Sequence, residues 1–350
     1  MKKLMLILVP LAIVAGALLF LAHETPAEQV PIPPDATAVL DDPRFQLPAD
    51  WQWERLATKS GDVRWGYSEA VNAKAAVLFL PGYSAPLEIY FETFSALTAS
   101  GYTVIAMDWP GQGGSSRGSE HPEKIHAWSL DGHVQAATDV VDRASDIIGD
   151  LPLLMSGLSM GANLGARVLA ERNDFVAAAL VTPMFGIYGD GPNAVELTIL
   201  KSLAFVGFGE RYALGSTDWT YDMDVHNEVN SYCSHPNDRT KLWYAAMVAN
   251  PEIKVGGMSN AMALAMVESA KIARSAEVLD RINVPVWMPL AEADVFVSND
   301  AARTACEQIG DCKIQQYAEA RHCLFEEADV YYTPFIEDLL GFLDGQLATL

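Results

Sequence analysis

The pentapeptide Gly157-Leu158-Ser159-Met160-Gly161 stands between an apolar run, Leu151 to Ser156, and a segment of helical periodicity, Met160 to Arg172. A chain that passes from a buried strand into a helix through a single serine must turn sharply. Glycines on either side leave room for the backbone to do so. The turn lifts the serine hydroxyl to the carboxyl end of a strand and the N-terminus of a helix, where the helix dipole favours developing negative charge. Gly165, one turn further on, lets that helix approach the sheet closely. Such a turn requires a sheet beneath it, and the rest of the sequence supplies one.

Short apolar runs alternate with helical stretches along most of the chain. Strands are expected at Val63–Glu69, Ala75–Leu80, Thr103–Asp108, Leu151–Ser156, Val176–Thr182, Val284–Leu290 and Lys313–Ala318. Helices are expected at Leu87–Ser100, His133–Ile148, Met160–Arg172, Ala301–Ile309 and Tyr332–Leu347. This alternation predicts an α/β fold: a mostly parallel sheet with helices on both faces. From about residue 186 to 276 helical segments continue without a strong strand, and an insertion of that length reads as a helical cap. Its segment Val195–Phe208 is apolar on more than one face, with only Glu196 and Lys201 charged, so it is expected to cover something.

Serine needs a base, and the base needs an orienting acid. Downstream of Ser159 the histidines are His226, His235 and His322. The first two fall in the cap and read as surface or packing residues. His322 follows the last strand, at the sheet edge where ligands bind in open α/β sheets, and is the expected base. The acid should follow a strand between them: Asp294 is preferred, with Glu292 and Asp300 behind it. The oxyanion donors expected are the backbone N–H groups of Met160, directly after the serine, and of Tyr83, in the Pro81-Gly82-Tyr83 loop after Ala75–Leu80. The run Gly111-Gln112-Gly113-Gly114-Ser115-Ser116 lacks the Gly-Lys-Ser/Thr ending of a phosphate loop, so it reads as a turn. His121, His126 and His133 have no ligand spacing, and no metal or organic cofactor is expected.

The ends and the bulk composition bound the setting. Lys2 and Lys3 precede an uncharged run from Leu4 to Ala22, so residues 1–22 are expected to be a membrane anchor or signal, an uncleaved anchor being preferred. Charge asymmetry places the body on the non-cytoplasmic side, as an inner-membrane protein facing the periplasm or an exported one. Residues 23–47, rich in Pro and Ala, read as a linker, and the catalytic domain runs from 48 to 350. A net charge of -22 repels nucleic acid and anionic lipid headgroups, so contact with the membrane rests on the N-terminal segment. Of four cysteines, Cys306 and Cys312 are expected to bond, while Cys233 and Cys323 read as small buried hydrophobes.

Together these residues resemble the bacterial lysophospholipase and monoacylglycerol-lipase group of the α/β-hydrolase fold, a serine aminopeptidase-like family. The likeness rests on LFLPGYSAPLEIYFETFSAL, MDWPGQGGSSR, DGHV, GLSMG, LVTPMFGI, NPEIKVGG and ARHCLFEEAD, in that order from about Gly61 to the C-terminus. It implies Ser159, Asp294 and His322 as a triad, Tyr83 and Met160 at the oxyanion hole, and a lid over an acyl-chain pocket. Leu158 and Pro110 depart from residues common in the group, His and a basic residue respectively, and both neighbour the pocket. The expected substrate is a small ester or a monoacyl lipid. A peptidase or amidase of the same fold, or a non-catalytic binding protein on this scaffold, are the alternatives.

Overall fold

The computed structural model describes residues 31–188, 193–221 and 232–350. The expected anchor and the residue His226 lie outside them. Among the described residues no helix is long and apolar enough to cross a membrane.

Eight strands form one sheet in the order β1-β2-β4-β3-β5-β6-β7-β8. They are β1 (Gln52–Thr58), β2 (Gly61–Ser68), β3 (Ala75–Leu80), β4 (Tyr102–Met107), β5 (Leu153–Leu158), β6 (Phe175–Val181), β7 (Val286–Ala291) and β8 (Cys312–Tyr317). β1 pairs with β2 and β2 with β4 antiparallel; all other pairings are parallel. Strands β3, β4, β5 and β7 are buried along their whole length, which explains their continuous apolar runs. β1 was not expected. It is an edge strand carrying Glu54 and Arg55 with much of its length exposed, so no apolar run marks it.

Alternate residues of each strand feed opposite faces. On β3, Ala76, Leu78 and Leu80 pack on one side with helices α2 (Asp131–Arg143) and α3 (Met160–Glu171). Ala75, Val77 and Phe79 pack on the other with α1 (Phe91–Ala99) and α8 (Asp329–Leu347). Phe79 is an aromatic hub on that second face, with ring centroids 5.1 Å from both Phe94 of α1 and Phe325. Phe325 in turn meets Phe335 of α8 at 4.8 Å. Part of the stretch read as a linker joins this face: 3-10 turns form at Ala38–Asp41 and Pro43–Phe45, and Phe45 is buried.

Between β6 and β7 lie α4 (Ala194–Leu203), α5 (Asp238–Ala249) and α6 (Asn260–Ala273), and no named strand among the described residues. α6 is fixed to the sheet layer by buried hydrogen bonds: Asn163 Nδ2 of α3 donates to Ser269 O (3.3 Å) and Arg167 Nη1 to Ser269 Oγ (3.1 Å). α7 (Asn299–Gln308) follows β7. Both cysteine pairs are bonded. Cys306–Cys312, as expected, ties α7 to the start of β8. Cys233–Cys323 joins residues 90 apart in sequence, with Cα atoms 5.1 Å apart, and corrects the reading of those two as unbonded hydrophobes.

α3 sits unusually close to the sheet. A Cβ on Gly161 would stand 2.1 Å from Leu80 O and 2.5 Å from Pro81 O, both backbone atoms that cannot swing away. Gly161→Ala is therefore expected to lower the unfolding free energy by about 1–3 kcal/mol. The loss should read as a lower urea midpoint at unchanged slope. An unchanged midpoint would mean that the helix does not press on β3 this tightly.

Candidate active site

Ser159 occupies the turn between β5 and α3 with φ 55° and ψ −111°, a strained backbone for a residue with a side chain. The turn is held on both sides. Ser159 N–H donates to Val181 O (2.9 Å), and Ser159 O accepts from Asn163 N–H (3.0 Å) and Met184 N–H (3.1 Å). Gly157 is required beneath it, because a Cβ there would meet Gly161 O at 2.8 Å. Met160 opens α3, so its N–H belongs to the first turn, which has no acceptor within the helix.

The loop after β3 comes to the same place. Gly82 packs beside Leu158, where an added Cβ would lie 3.6 Å from its side chain. The loop is braced by residues that follow β4, of which Gln112 belongs to the run read from sequence as a plain turn. Trp109 Nε1 donates to Pro81 O (2.8 Å), and Gln112 Oε1 accepts from Ser84 N–H (2.6 Å). Below them Asp108, fully buried, accepts from Arg64 Nε (2.5 Å), Gly114 N–H (3.0 Å) and Leu87 N–H (3.2 Å). Arg64 also clasps Glu88 through both terminal nitrogens. Burial pushes the Asp108 carboxyl up to about 6, against the pull of the Arg64 guanidinium. His133 lies against Trp109 with centroids 6.0 Å apart, and burial pushes its imidazole down to about 4, so it is a neutral packing group. Trp109 and Gln112 are thus supports of the Tyr83 loop that the sequence did not reveal. Both lie in MDWPGQGGSSR, one of the runs that carry the family likeness, but that likeness gave them no role.

Asp294 and His322 meet as expected. Asp294 Oδ2 lies 2.6 Å from His322 Nδ1. Its other oxygen accepts from Phe296 N–H (2.7 Å) and Val297 N–H (3.0 Å), which fixes the carboxylate in its loop. Both side chains are buried, and Thr182 Oγ1 donates to His322 O (3.0 Å). The runners-up lie elsewhere: Glu292 pairs with Arg303 (2.7 Å), and Asp300 is 96% exposed. His235 bonds Glu327 at 3.0 Å instead of facing the serine.

Ser159 and His322 open into one cavity of about 650 Å³, together with Gly82 and Tyr83. Its apolar wall includes Leu158, Trp219, Trp243, Val255, Met258 and Met266. Its polar side includes Ser84, Thr240 and Glu326, whose carboxyl burial pushes up to about 8. The segment Val195–Phe208 is not part of the wall among the described residues. α4 buries only Leu203, and Phe205 is 91% exposed. The lining comes instead from residues 215–219, from α5, and from 255–266, because these segments cross the strand ends while α4 rests on α6. Among the described residues the one group of three potential metal-ligating side chains is Cys233, Cys323 and Glu326, and its two sulfurs are bonded to each other.

Comparison with known proteins agrees with this architecture. Solved structures similar to the chain include a monoglyceride lipase from Saccharomyces cerevisiae (16% identity, TM-score 0.67, 86% of this chain and 96% of that one). They include a thermostable carboxyl esterase from Bacillus coagulans (16% identity, TM-score 0.67, 86% and 100%). A monoacylglycerol lipase from Paleococcus ferrophilus is also similar (18% identity, TM-score 0.61, 84% and 99%). At such identities these likenesses show the fold. Among curated proteins none matches the chain in sequence. The family model described as "Serine aminopeptidase, S33" matches residues 71–329, which cover the turn at Ser159, Asp294 and His322. With that match spanning well over half its length, the chain belongs to the serine aminopeptidase S33 family, on the α/β-hydrolase fold.

Proposed function

We propose that this serine hydrolase cleaves carboxylic esters of single-chain lipids, of lysophospholipid or monoacylglycerol type, with Ser159 as nucleophile. The observation that carries the reading is His322, bonded to Asp294, opening into the same apolar cavity as Ser159. In this mechanism His322 takes the Ser159 proton as Oγ attacks the ester carbonyl. Asp294 holds the imidazole in the tautomer with Nδ1–H and stabilises the imidazolium. The N–H groups of Met160 and Tyr83 receive the oxyanion. His322 returns its proton to the departing alkoxide, and water then repeats the cycle on the acyl-enzyme.

The cavity's chemistry supports an acyl chain over a peptide. Its apolar wall fits methylenes, each worth about 0.8 kcal/mol when buried. A free substrate amine would need an ionised partner. Burial pushes the Glu326 carboxyl up to about 8, which favours its neutral form at pH 7, and Asp218 accepts from Tyr212 Oη (2.6 Å), which turns one of its oxygens to the protein. The Bacillus coagulans esterase, whose structure holds glycerol, and the yeast lipase, solved with a substrate analogue, give this reading precedents on the same fold.

Ser159→Ala is expected to abolish hydrolysis and fluorophosphonate labelling while far-UV circular dichroism stays unchanged. Asp294→Asn should lower kcat by about 10⁴-fold with little change in KM, because the imidazole would be held in the wrong tautomer. Labelling of another serine in Ser159→Ala, or wild-type kcat in Asp294→Asn, would overturn the assignment.

Chain-length preference follows from the wall. Met266→Trp, which fills the cavity, should cut kcat/KM on laurate esters more than tenfold and on acetate esters less than threefold, the loss of roughly two buried methylenes. Leu203→Asp on α4 should leave that ratio unchanged. Equal losses on both esters would make the wall mere structural support.

We further propose that the body works in an oxidising compartment, anchored by residues 1–22. Two disulfides and the charge asymmetry around Leu4–Ala22 support this. Protease added outside the inner membrane should degrade the C-terminal domain; full protection would place it in the cytoplasm and end the proposal.

A further inference from the structure

Residues 233–237 run alongside the loop that carries His322 and are stitched to it along its length. Cys233 is bonded to Cys323, and Cys323 N–H donates to Cys233 O (2.7 Å). Arg321 Nη1 donates to Ser234 O (3.1 Å). His235 N–H donates to Glu327 Oε2 (2.9 Å), and Asn237 Nδ2 donates to Glu326 O (3.0 Å). The strap then enters α5. There Arg239, 5% exposed, holds Glu92 of α1 (2.6 Å), Asp329 of α8 (2.8 Å) and Glu327 O (2.8 Å). The strap is therefore anchored to the rigid layer under the sheet.

On its other side the loop is held by packing and hydrogen bonds alone: Phe325 is buried against Phe79 and Phe335, Ala320 O accepts from Ala293 N–H (3.0 Å), and Phe296 lies against the imidazole with centroids 5.3 Å apart. His322 is held by Asp294 at its ring and Thr182 at its carbonyl. The disulfide is the single covalent tie in the loop, one residue from the imidazole, and Cys233 and Cys323 themselves line the cavity. A general base must sit within hydrogen-bond reach of its nucleophile, and a displacement of about 1 Å can cost about 10²-fold in rate.

We propose that the Cys233–Cys323 disulfide is a positioning crosslink for His322, which makes turnover depend on whether that bond is intact. The inference rests on the reading of His322 as the base of Ser159. The exchange that opens it is simple. One thiolate of a dithiol attacks a bridge sulfur, and its second thiolate displaces the protein from the mixed disulfide. Two electrons pass from the reagent to the bridge, leaving the reagent oxidised and Cys233 and Cys323 as thiols. Cys306–Cys312 lies at the opposite end of β8 from the His322 loop, so it can be removed without touching the site.

The test uses the full chain carrying Cys306→Ala and Cys312→Ala, so that one bridge remains. It is titrated with dithiothreitol at 10 °C and 25 °C while free thiols are counted by mass. Three readouts run together: kcat and KM on an acetate ester, the low-field proton resonance of the His322 Nδ1–H, and far-UV circular dichroism. The expected result is a tenfold to hundredfold fall in kcat in step with bridge opening, a KM change under threefold, and a shifted or broadened Nδ1–H resonance. The dichroism should be unchanged, and reoxidation should restore activity. Cys323→Ala should behave as the reduced protein. A reduced, folded protein with full kcat and an unmoved resonance would overturn the proposal, leaving the bridge a stabiliser only. Unfolding on reduction at both temperatures would also overturn it, since the bridge would then hold the whole fold. An oxidised protein with the resonance present but no ester hydrolysis and no fluorophosphonate labelling would instead remove the Ser159 reading on which the proposal rests.

Discussion

The close seating of α3 on the end of β3 is the constraint from which the site follows. Gly161 lets the first turn of the helix lie against Leu80 O and Pro81 O, and Ser159 enters that turn with a strained backbone. The strain is held by Val181 O on one side and by Asn163 and Met184 on the other. One approach of backbone to backbone thereby does several things. It places Ser159 at the cavity, sets Met160 at the open first turn of the helix, and brings Gly82 and Tyr83 of the loop after β3 to the same cavity. A larger residue at Gly161 would open the whole arrangement, which is why the local sequence leaves so little choice.

The loop after β3 would not hold itself. Its glycine makes it pliable, and its rigidity is borrowed from β4 through Trp109 and Gln112, which stand on Asp108 and the Arg64–Glu88 pair. A buried aspartate with such partners is costly to desolvate, and burial does raise its carboxyl. Its several donors keep that cost bounded and fix one geometry. His322 is supported differently. Its loop is pinned into the core by Phe325 against Phe79 and Phe335, and tied to the insertion by the bridge at Cys323. Ser159, the Tyr83 loop and His322 are thus each carried by a separate structural support, and the sheet keeps these in register.

Much of this was legible in the sequence where the signal is local. The buried strands announced themselves as apolar runs, and the glycine-flanked serine marked its own turn. Asp294 and His322 could be picked out because chain order and strand ends restrict where such groups fall. β1 was missed because an edge strand with Glu54 and Arg55 carries no continuous apolar signature. The linker was drawn too long because Phe45, a lone aromatic among prolines and acids, shows no period although it packs into the core. The segment Val195–Phe208 misled for the converse reason: apolarity says that a helix can be covered, not that it is. In the fold it leaves Phe205 in solvent and gives the cavity nothing.

The sequence by itself determined the parallel α/β framework and the glycine-flanked turn at Ser159, and it picked out Asp294 and His322 as the pair that the fold brings together. Each of these is written within a few residues of itself, in burial pattern or in backbone sterics. Only the tertiary structure decided which segments wall the cavity, that Trp109 and Gln112 brace the loop after β3, and that Cys233 bonds Cys323. These pairings join residues tens of positions apart, such as the 90 between the bridged cysteines. No local propensity records which distant partner a side chain will meet. That is set by how the insertion folds back over the strand ends, where the packing of α5 and α6 on the sheet layer decides the distances.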